Sequence, residues 1–338
     1  MKLPQPRGPL STALIESLQR PPHVLATAPL PSPIGLGALY DDDLQLALFI
    51  AYELHYRGWD DVDDAWEWEP SVLALRAAVE ARFEAALRSA VGSQVRLDGL
   101  GVADALAALV AADDGPSLAG YLQRRADLAE FREFVMHRSV YHLREADPHS
   151  WGIPRLGGRA KAALIEIQLD EYGGGTLSRM HAELFRTTMR SLGLDTSYGA
   201  YVDAVPAITL ATNNVISYFG LHRRLRGALL GHLAAFEMTS SLPNRRYGNG
   251  LRRLGGDAVA TRFYDEHVEA DAVHEQIAAH DMCGALVEDE PTARNDVLFG
   301  AACALKLDAL FATHLLDRWA RQQSSLRTAT RLVREWAA

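Results

Sequence analysis

Residues 263–274 read Phe-Tyr-Asp-Glu-His-Val-Glu-Ala-Asp-Ala-Val-His. On a helix, His267, Asp271 and His274 stand at i, i+4 and i+7. At 100° per residue they fall within roughly 60° of one another. Two imidazoles and a carboxylate on one stripe form a ready set of metal ligands. Imidazole suits zinc, iron and copper, and carboxylate pulls the choice toward harder ions. The alternative is a solvated polar stripe on a surface helix.

Helical signals dominate outward from this stretch. Asp41-Asp42-Asp43 precedes the apolar run 44–51, an acidic start that suits the helix dipole. Pro70-Ser71-Val72 opens a helix reaching about Val91. Further helices are expected over 101–113, 115–145, 158–187, 196–218, 221–240, 255–281, 291–319 and 322–336. Loops are expected at Asp147-Pro148, Gly157-Gly158, Leu242-Pro243-Asn244 and Gly255-Gly256. Strand signals are weak throughout, so the fold class is all-α. Eight prolines before residue 34 read as an extended arm over 1–39. A break near 115 separates a helical subdomain, 40–114, from a C-terminal bundle, 115–338.

The balance of 34 basic against 43 acidic residues gives a formal net charge of −9. That argues against nucleic acid, whose binding needs a basic stripe. Only Cys283 and Cys303 are present, too few for a disulfide framework or a thiolate zinc site. No signal peptide and no apolar run of bilayer length is read, so a cytoplasmic protein without membrane contact is expected.

Three further stretches carry chemistry. In 166–181, the run Gly173-Gly174-Gly175 follows an apolar-periodic helix, where each glycine costs about 1 kcal/mol against alanine. Glu171 and His181 would lie about 15 Å apart on an unbroken helix. A kink at the glycines would turn both inward; a plain turn is the alternative. Glu237 sits alone in the apolar stretch 229–238 and needs an arginine or a metal as partner. Glu145 closes a helix before a proline turn, against the dipole, and asks for a cation. Together, Glu145, Glu171, Glu237 and Asp271 with His181, His267 and His274 are the recipe for two metal ions bridged by acids in a helical bundle. Iron suits the mixed set best, with manganese next. The Glu-x-x-His pairs of ferritin-like bundles are absent.

These residues resemble the haem-oxygenase-like diiron oxidases, also known as iron-containing redox enzymes. The resemblance rests on Glu171 to His181 around the glycines, Glu237 in AAFEMTSSLPN, and His267-x3-Asp271-x2-His274. It covers about 120–320 well and 40–70 more loosely. It implies a haem-oxygenase-like bundle with an additional N-terminal helical region, two iron ions held by the seven residues, and no haem. His181, Glu171 and Glu237 would serve mainly one iron; Glu145, His267, Asp271 and His274 would serve the other, with Glu237 bridging. Glu145 looks like the extra carboxylate of N-oxygenating members, among them a guanidine hydroxylase with an added cupin domain for N–N bond formation. The chain has no room for that cupin domain, so N-nitrosation is not expected. What the resemblance implies is O₂-dependent oxygenation of an amine or guanidine nitrogen in specialised metabolism. The electron source is an external reductant of unknown kind, and a homodimer through the N-terminal helices is expected.

Other readings compete. The same ligands would serve a diiron oxidase that cleaves C–C or C–H bonds of an amino or fatty acid. A hydrolytic zinc or manganese enzyme would turn over without O₂, and a metal-free module would bind no iron. Glu53 and His55 point to opposite sides of a helix and read as structural. Trp59, Trp66 and Trp68 read as a packed corner or a dimer contact. His137 and His142 read as helix residues near the site; His222, His232 and His314 read as core or surface histidines. Arg179, Arg223 and Arg245 are candidates for a substrate carboxylate, and nothing singles one out.

Overall fold

The computed structural model describes residues 1–26, 35–92, 97 and 99–327; of residues 269–272 it describes the backbone alone. Among the described residues the chain is helical and no strand occurs. The helices are α1 (Pro9–Leu18), α2 (Asp42–Glu53), α3 (Pro70–Val91), α4 (Val102–Ala111), α5 (Leu118–Arg124), α6 (Leu128–His142) and α7 (Asp147–Ser150). They continue with α8 (Gly158–Glu171), α9 (His181–Ser191), α10 (Ala207–Leu221), α11 (Arg226–Arg253), α12 (Ala258–Gln276), α13 (Ala285–Asp289) and α14 (Arg294–Ala320). A π-helical stretch, Ile277–Gly284, joins α12 to α13.

The expected extended arm contains a helix. Pro9 occupies the first turn of α1, where its missing N–H is no loss. Leu10, Leu14, Ile15 and Leu18 are buried. The Asp43 carboxylate accepts from the free Leu10 and Ser11 N–H groups at 2.8 and 2.7 Å. One acid of the Asp41–Asp43 run thus caps a neighbouring helix, while Asp41 caps its own through Leu44 N at 2.8 Å. Residues 27–34, with three of the prolines, and 328–336 of the expected last helix lie outside the described residues. One continuous apolar core joins residues from α1 through α14.

α11 is the axis of the site. It packs on α14 and α12. A Cβ on Gly231 would run into the Val297 carbonyl, and one on Gly300 into the Ala228 carbonyl. Those two glycines therefore set the close α11–α14 crossing. The loop expected at Leu242-Pro243-Asn244 is instead helix, and α11 runs through Pro243. A proline there removes one backbone hydrogen bond and costs about 3 kcal/mol in an isolated helix. Packing on both neighbours offsets that cost, and Thr239, whose carbonyl loses the bond, borders a cavity.

The expected helix 115–145 is two, because Asp127 and Glu130 form a capping box that restarts the chain as α6. Residues 291–320 have the length and hydropathy of a membrane-crossing helix, a run the sequence reading does not find; 61% of its apolar 18-residue stretch is buried in the protein, as in a core helix.

Candidate metal centre

The three glycines after α8 all adopt positive φ, 63°, 61° and 78°. L-residues rarely take this conformation. A Cβ on Gly173 would also strike the Arg179–Met180 backbone. The chain therefore reverses sharply and places Glu171, the last residue of α8, beside His181, the first of α9. Glu171 Oε2 and His181 Nδ1 are 3.0 Å apart.

Glu145 comes from the turn after α6. The next residue, Ala146, is left-handed at φ 71°, a strained position for a residue with a Cβ. Gln168 of α8 donates to the Ala146 carbonyl at 2.9 Å and holds the turn against the end of α8. Glu237 stands midway along α11. His267 and His274 lie on one face of α12, two turns apart.

These residues form two overlapping groups. The ligand atoms of Glu145, Glu171, His181 and His267 all lie within 4.8 Å of one another, and so do those of Glu171, Glu237 and His274. All six side chains are buried. Glu171, not Glu237, is common to both groups, and His181 falls with Glu145 and His267. This differs from the expected division. The glycine reversal leaves Glu171 at a helix end with α9 on one side and α11 on the other. Asp271 lies on α12 between the two histidines, and its side chain lies outside the described residues.

The donor set fits metal ions. Ligand bonds of about 2.1 Å place two donors on one ion roughly 3–4 Å apart. The Glu171–His181 pair has that spacing without hydrogen-bond geometry. Glu145 Oε2, Glu171 Oε2, His181 Nδ1 and His274 Nδ1 are buried and lack hydrogen-bond partners. Buried polar atoms without partners are costly, and a cation within each group supplies one. His274 Nδ1 is 3.4 Å from Glu237 Oε2, which brings an imidazole to that acid.

The outward nitrogens are held. His267 Nδ1 donates to the Phe263 carbonyl at 2.8 Å, which leaves Nε2 toward the cluster. His274 Nε2 donates to Asp170 at 3.0 Å. His142 Nδ1 lies 2.6 Å from Glu145 Oε1. Such partners fix the tautomer and orientation of metal-binding groups. Burial opposes ionisation of Glu145, but His142 and His267 outweigh it and hold the carboxyl well below its usual range. Burial also opposes a proton on His274, yet the Glu237 and Asp170 carboxylates push it up to about 9.

Asp170 and His142 contact the candidate ligands; the sequence reading places His142 near the site and does not pick out Asp170. Asp170 looks like an ordinary acid near a helix end. His142 offers one signal, its i, i+3 spacing to Glu145. His137 is satisfied by Thr209 and Ser325 hydroxyls at 2.7 and 3.1 Å.

The cluster opens into a cavity of about 320 Å³, with Glu145, Glu171, Glu237 and His267 in its wall. Phe134, Tyr141, Phe185 and Phe236 line it as well.

Comparison with known proteins agrees with this chemistry. Residues 132–309 match the family described as iron-containing redox enzymes, and that range contains every candidate ligand. A relative, nitrosourea synthase of Streptomyces achromogenes subsp. streptozoticus, is 31% identical over 148 residues, which are 43% of this chain and 31% of the relative. The match thus spans less than a third of that enzyme's length. On the matched range and its ligand set, the chain belongs to the iron-containing redox enzyme family.

Proposed function

We propose that this protein is a non-haem diiron oxygenase that uses O₂ to oxidise the nitrogen of a small amine or guanidine, giving a hydroxylamine or nitro product. The observation that carries the reading is the pair of ligand groups sharing Glu171 in the wall of a cavity. The relative named for nitrosourea synthesis supports nitrogen as the reacting atom. For hydroxylamine formation, one oxygen atom enters the nitrogen, the other leaves as water, and an external reductant supplies two electrons, with two protons. The two irons supply O₂ activation when bound.

The chain's own residues do the rest. Glu145, Glu171 and His181, with His267, would hold one ion; Glu171, Glu237 and His274 would hold the other, and Asp271 is the further ligand proposed from its place on α12. His142 and Asp170 fix the orientation of Glu145 and His274. The aromatic side chains of the cavity disfavour an ammonium group, so the substrate nitrogen presents its lone pair.

Anaerobic Fe(II) loading followed by mixing with O₂ and an amine panel tests this. Two irons per chain and products heavier by oxygen on nitrogen are expected. Products oxidised at carbon would favour the C–H or C–C oxidase. Turnover without O₂ would favour a hydrolase, and no bound iron would sink the oxygenase altogether.

A further inference from the structure

A chain with a formal net charge of −9 carries an arginine-rich face beside its cavity. α5 contributes Arg124 and Arg125, and α11 contributes Arg245 and Arg246. Two contacts hold these helices together. A Cβ on Gly250 would strike the Leu122 carbonyl, and Arg253 donates to the Gln123 carbonyl at 2.9 Å. Arg246 Nη1 donates to the Ser117 hydroxyl at 3.3 Å, and both residues border the cavity. A Cβ on Gly120 would lie 2.8 Å from that hydroxyl and 3.0 Å from Arg124 Nη2, so both guanidiniums approach the same point. Arg124, Arg125 and Arg245 are exposed, and among the described residues none of the four arginines has an acidic partner. The next arginine along α11, Arg252, is paired with Asp265. The nearby acids are engaged by their own chain: Asp113 by Gly115 N–H at 3.2 Å, Asp127 by Glu130 N–H at 2.8 Å, and Glu130 by the Tyr121 hydroxyl at 2.9 Å. Leu242, half exposed, stands one turn before the α11 arginines. Behind the face, aromatic rings run inward. Tyr247 follows Arg246 and lies 5.9 Å from Tyr264; Phe263 is 5.4 Å from Tyr264 and 4.3 Å from the candidate ligand His267.

We propose that this face docks an acidic electron-transfer protein, of the iron–sulfur or flavin kind, that supplies the reductant. This rests on the functional reading above. Each hydroxylamine formed takes two electrons, so two one-electron donors or one two-electron donor are oxidised, and with two protons the second oxygen atom leaves as water. The acidic remainder of the chain repels such a partner, so the unpaired arginines set where it lands and how it is turned. Two guanidiniums crowded on one hydroxyl repel each other, and a partner's carboxylates relieve that repulsion with charge-assisted hydrogen bonds. An apolar side chain within a charged rim suits a small, transient contact. The ring path leads from this face to the His267 side of the cluster. Arg245, weighed from the sequence for a substrate carboxylate, does not line the cavity and belongs to this face instead.

The test uses the iron-loaded full chain and two acidic probes, a [2Fe–2S] ferredoxin and a flavodoxin. Stopped-flow absorbance reads oxidation of the reduced probe by the irons, and calorimetry reads binding of the oxidised probe with and without iron. At least one probe binds and reduces the irons, and its rate falls about tenfold or more between about 20 and 500 mM salt. The double variant Arg124→Glu/Arg125→Glu and the variant Arg245→Glu each weaken binding and slow reduction about tenfold or more, while lysine at the same positions keeps most of the rate. Reduced methyl viologen, which needs no docking face, reduces wild type and variants alike and so separates docking from damage to the centre. Reduction by neither protein, or a rate indifferent to salt or to the charge reversals, overturns the docking face. A DNA duplex that binds the face more tightly than either probe also overturns it. If the viologen-reduced enzyme N-oxygenates the amine panel while neither protein reduces it, the docking face falls and the N-oxygenase stands. Salt- and charge-dependent reduction without oxygen on nitrogen keeps the docking face and removes the N-oxygenase.

Discussion

Arg144 and Glu145 are neighbours in one turn, and both are buried, yet they enter unlike surroundings. Arg144 reaches Glu53 of α2 at 3.1 Å. Glu53 also accepts from the Tyr198 hydroxyl on both oxygens, at 3.0 and 2.9 Å. Every oxygen of that carboxylate is answered by the protein itself. Glu145 joins a group in which buried oxygens and nitrogens approach one another without hydrogen-bond geometry. Burial of charge is therefore common to both regions and diagnostic of neither. What separates a structural ion pair from a metal centre is where the lone pairs point.

The largest effect that sharpens this contrast is at Glu171. Glu171→Gln removes the residue shared by both groups, so bound iron falls toward zero and O₂-dependent turnover is lost, measured by metal analysis and oxygen uptake. Its metal-free form loses little thermal stability, because His181, unlike an arginine, sheds its proton when the Glu171 charge is removed. At Glu53 the sign reverses. Glu53→Ala leaves Arg144 buried and unpaired and costs about 3–5 kcal/mol in denaturant unfolding. Equal destabilisation by the two substitutions would erase the distinction.

A smaller effect is expected outside the ligands. Asp170→Asn keeps the fold and lowers iron affinity at the Glu171–Glu237–His274 group by about 10–100-fold. An unchanged binding isotherm would mean that the Asp170 contact does not orient His274. The gentlest test is pH. His274 sits at about 9 in the metal-free protein, so iron must displace its proton. Below that value each pH unit costs about tenfold in apparent affinity at this group, and above it the curve flattens. The metal-free fold shows the opposite trend: the stability that this proton contributes is complete below 6.5 and is lost as pH rises through about 9.

Much of the centre is legible in sequence because helices convert spacing into direction. His267 and His274 share a face by their interval alone, and three glycines announce a reversal. The sequence also marks Glu145 and Glu237 as acids in need of partners. Which acid is common to both groups is not legible, since it depends on the angle at which the Gly173–Gly175 reversal presents Glu171. The helix through Pro243 is invisible to local rules, because tertiary packing overrides the proline. Arg124 and Arg246 lie far apart in the chain, and only the fold makes them one face. The α1 helix is hidden by the prolines around it, although Pro9 sits where a helix tolerates one.

The turn bearing Arg144, Glu145 and Ala146 also bears on how the molecule can be dissected. The family match begins at residue 132, which suggests cutting the chain there to obtain a minimal catalytic unit. Such a cut removes α2 and with it Glu53. Arg144 would then lose its counter-ion one residue from the candidate ligand Glu145, in a turn already strained at Ala146. The N-terminal helices are thus a brace for the centre rather than a detachable appendage. A fragment starting at 132 is expected to lose iron even though it retains every candidate ligand.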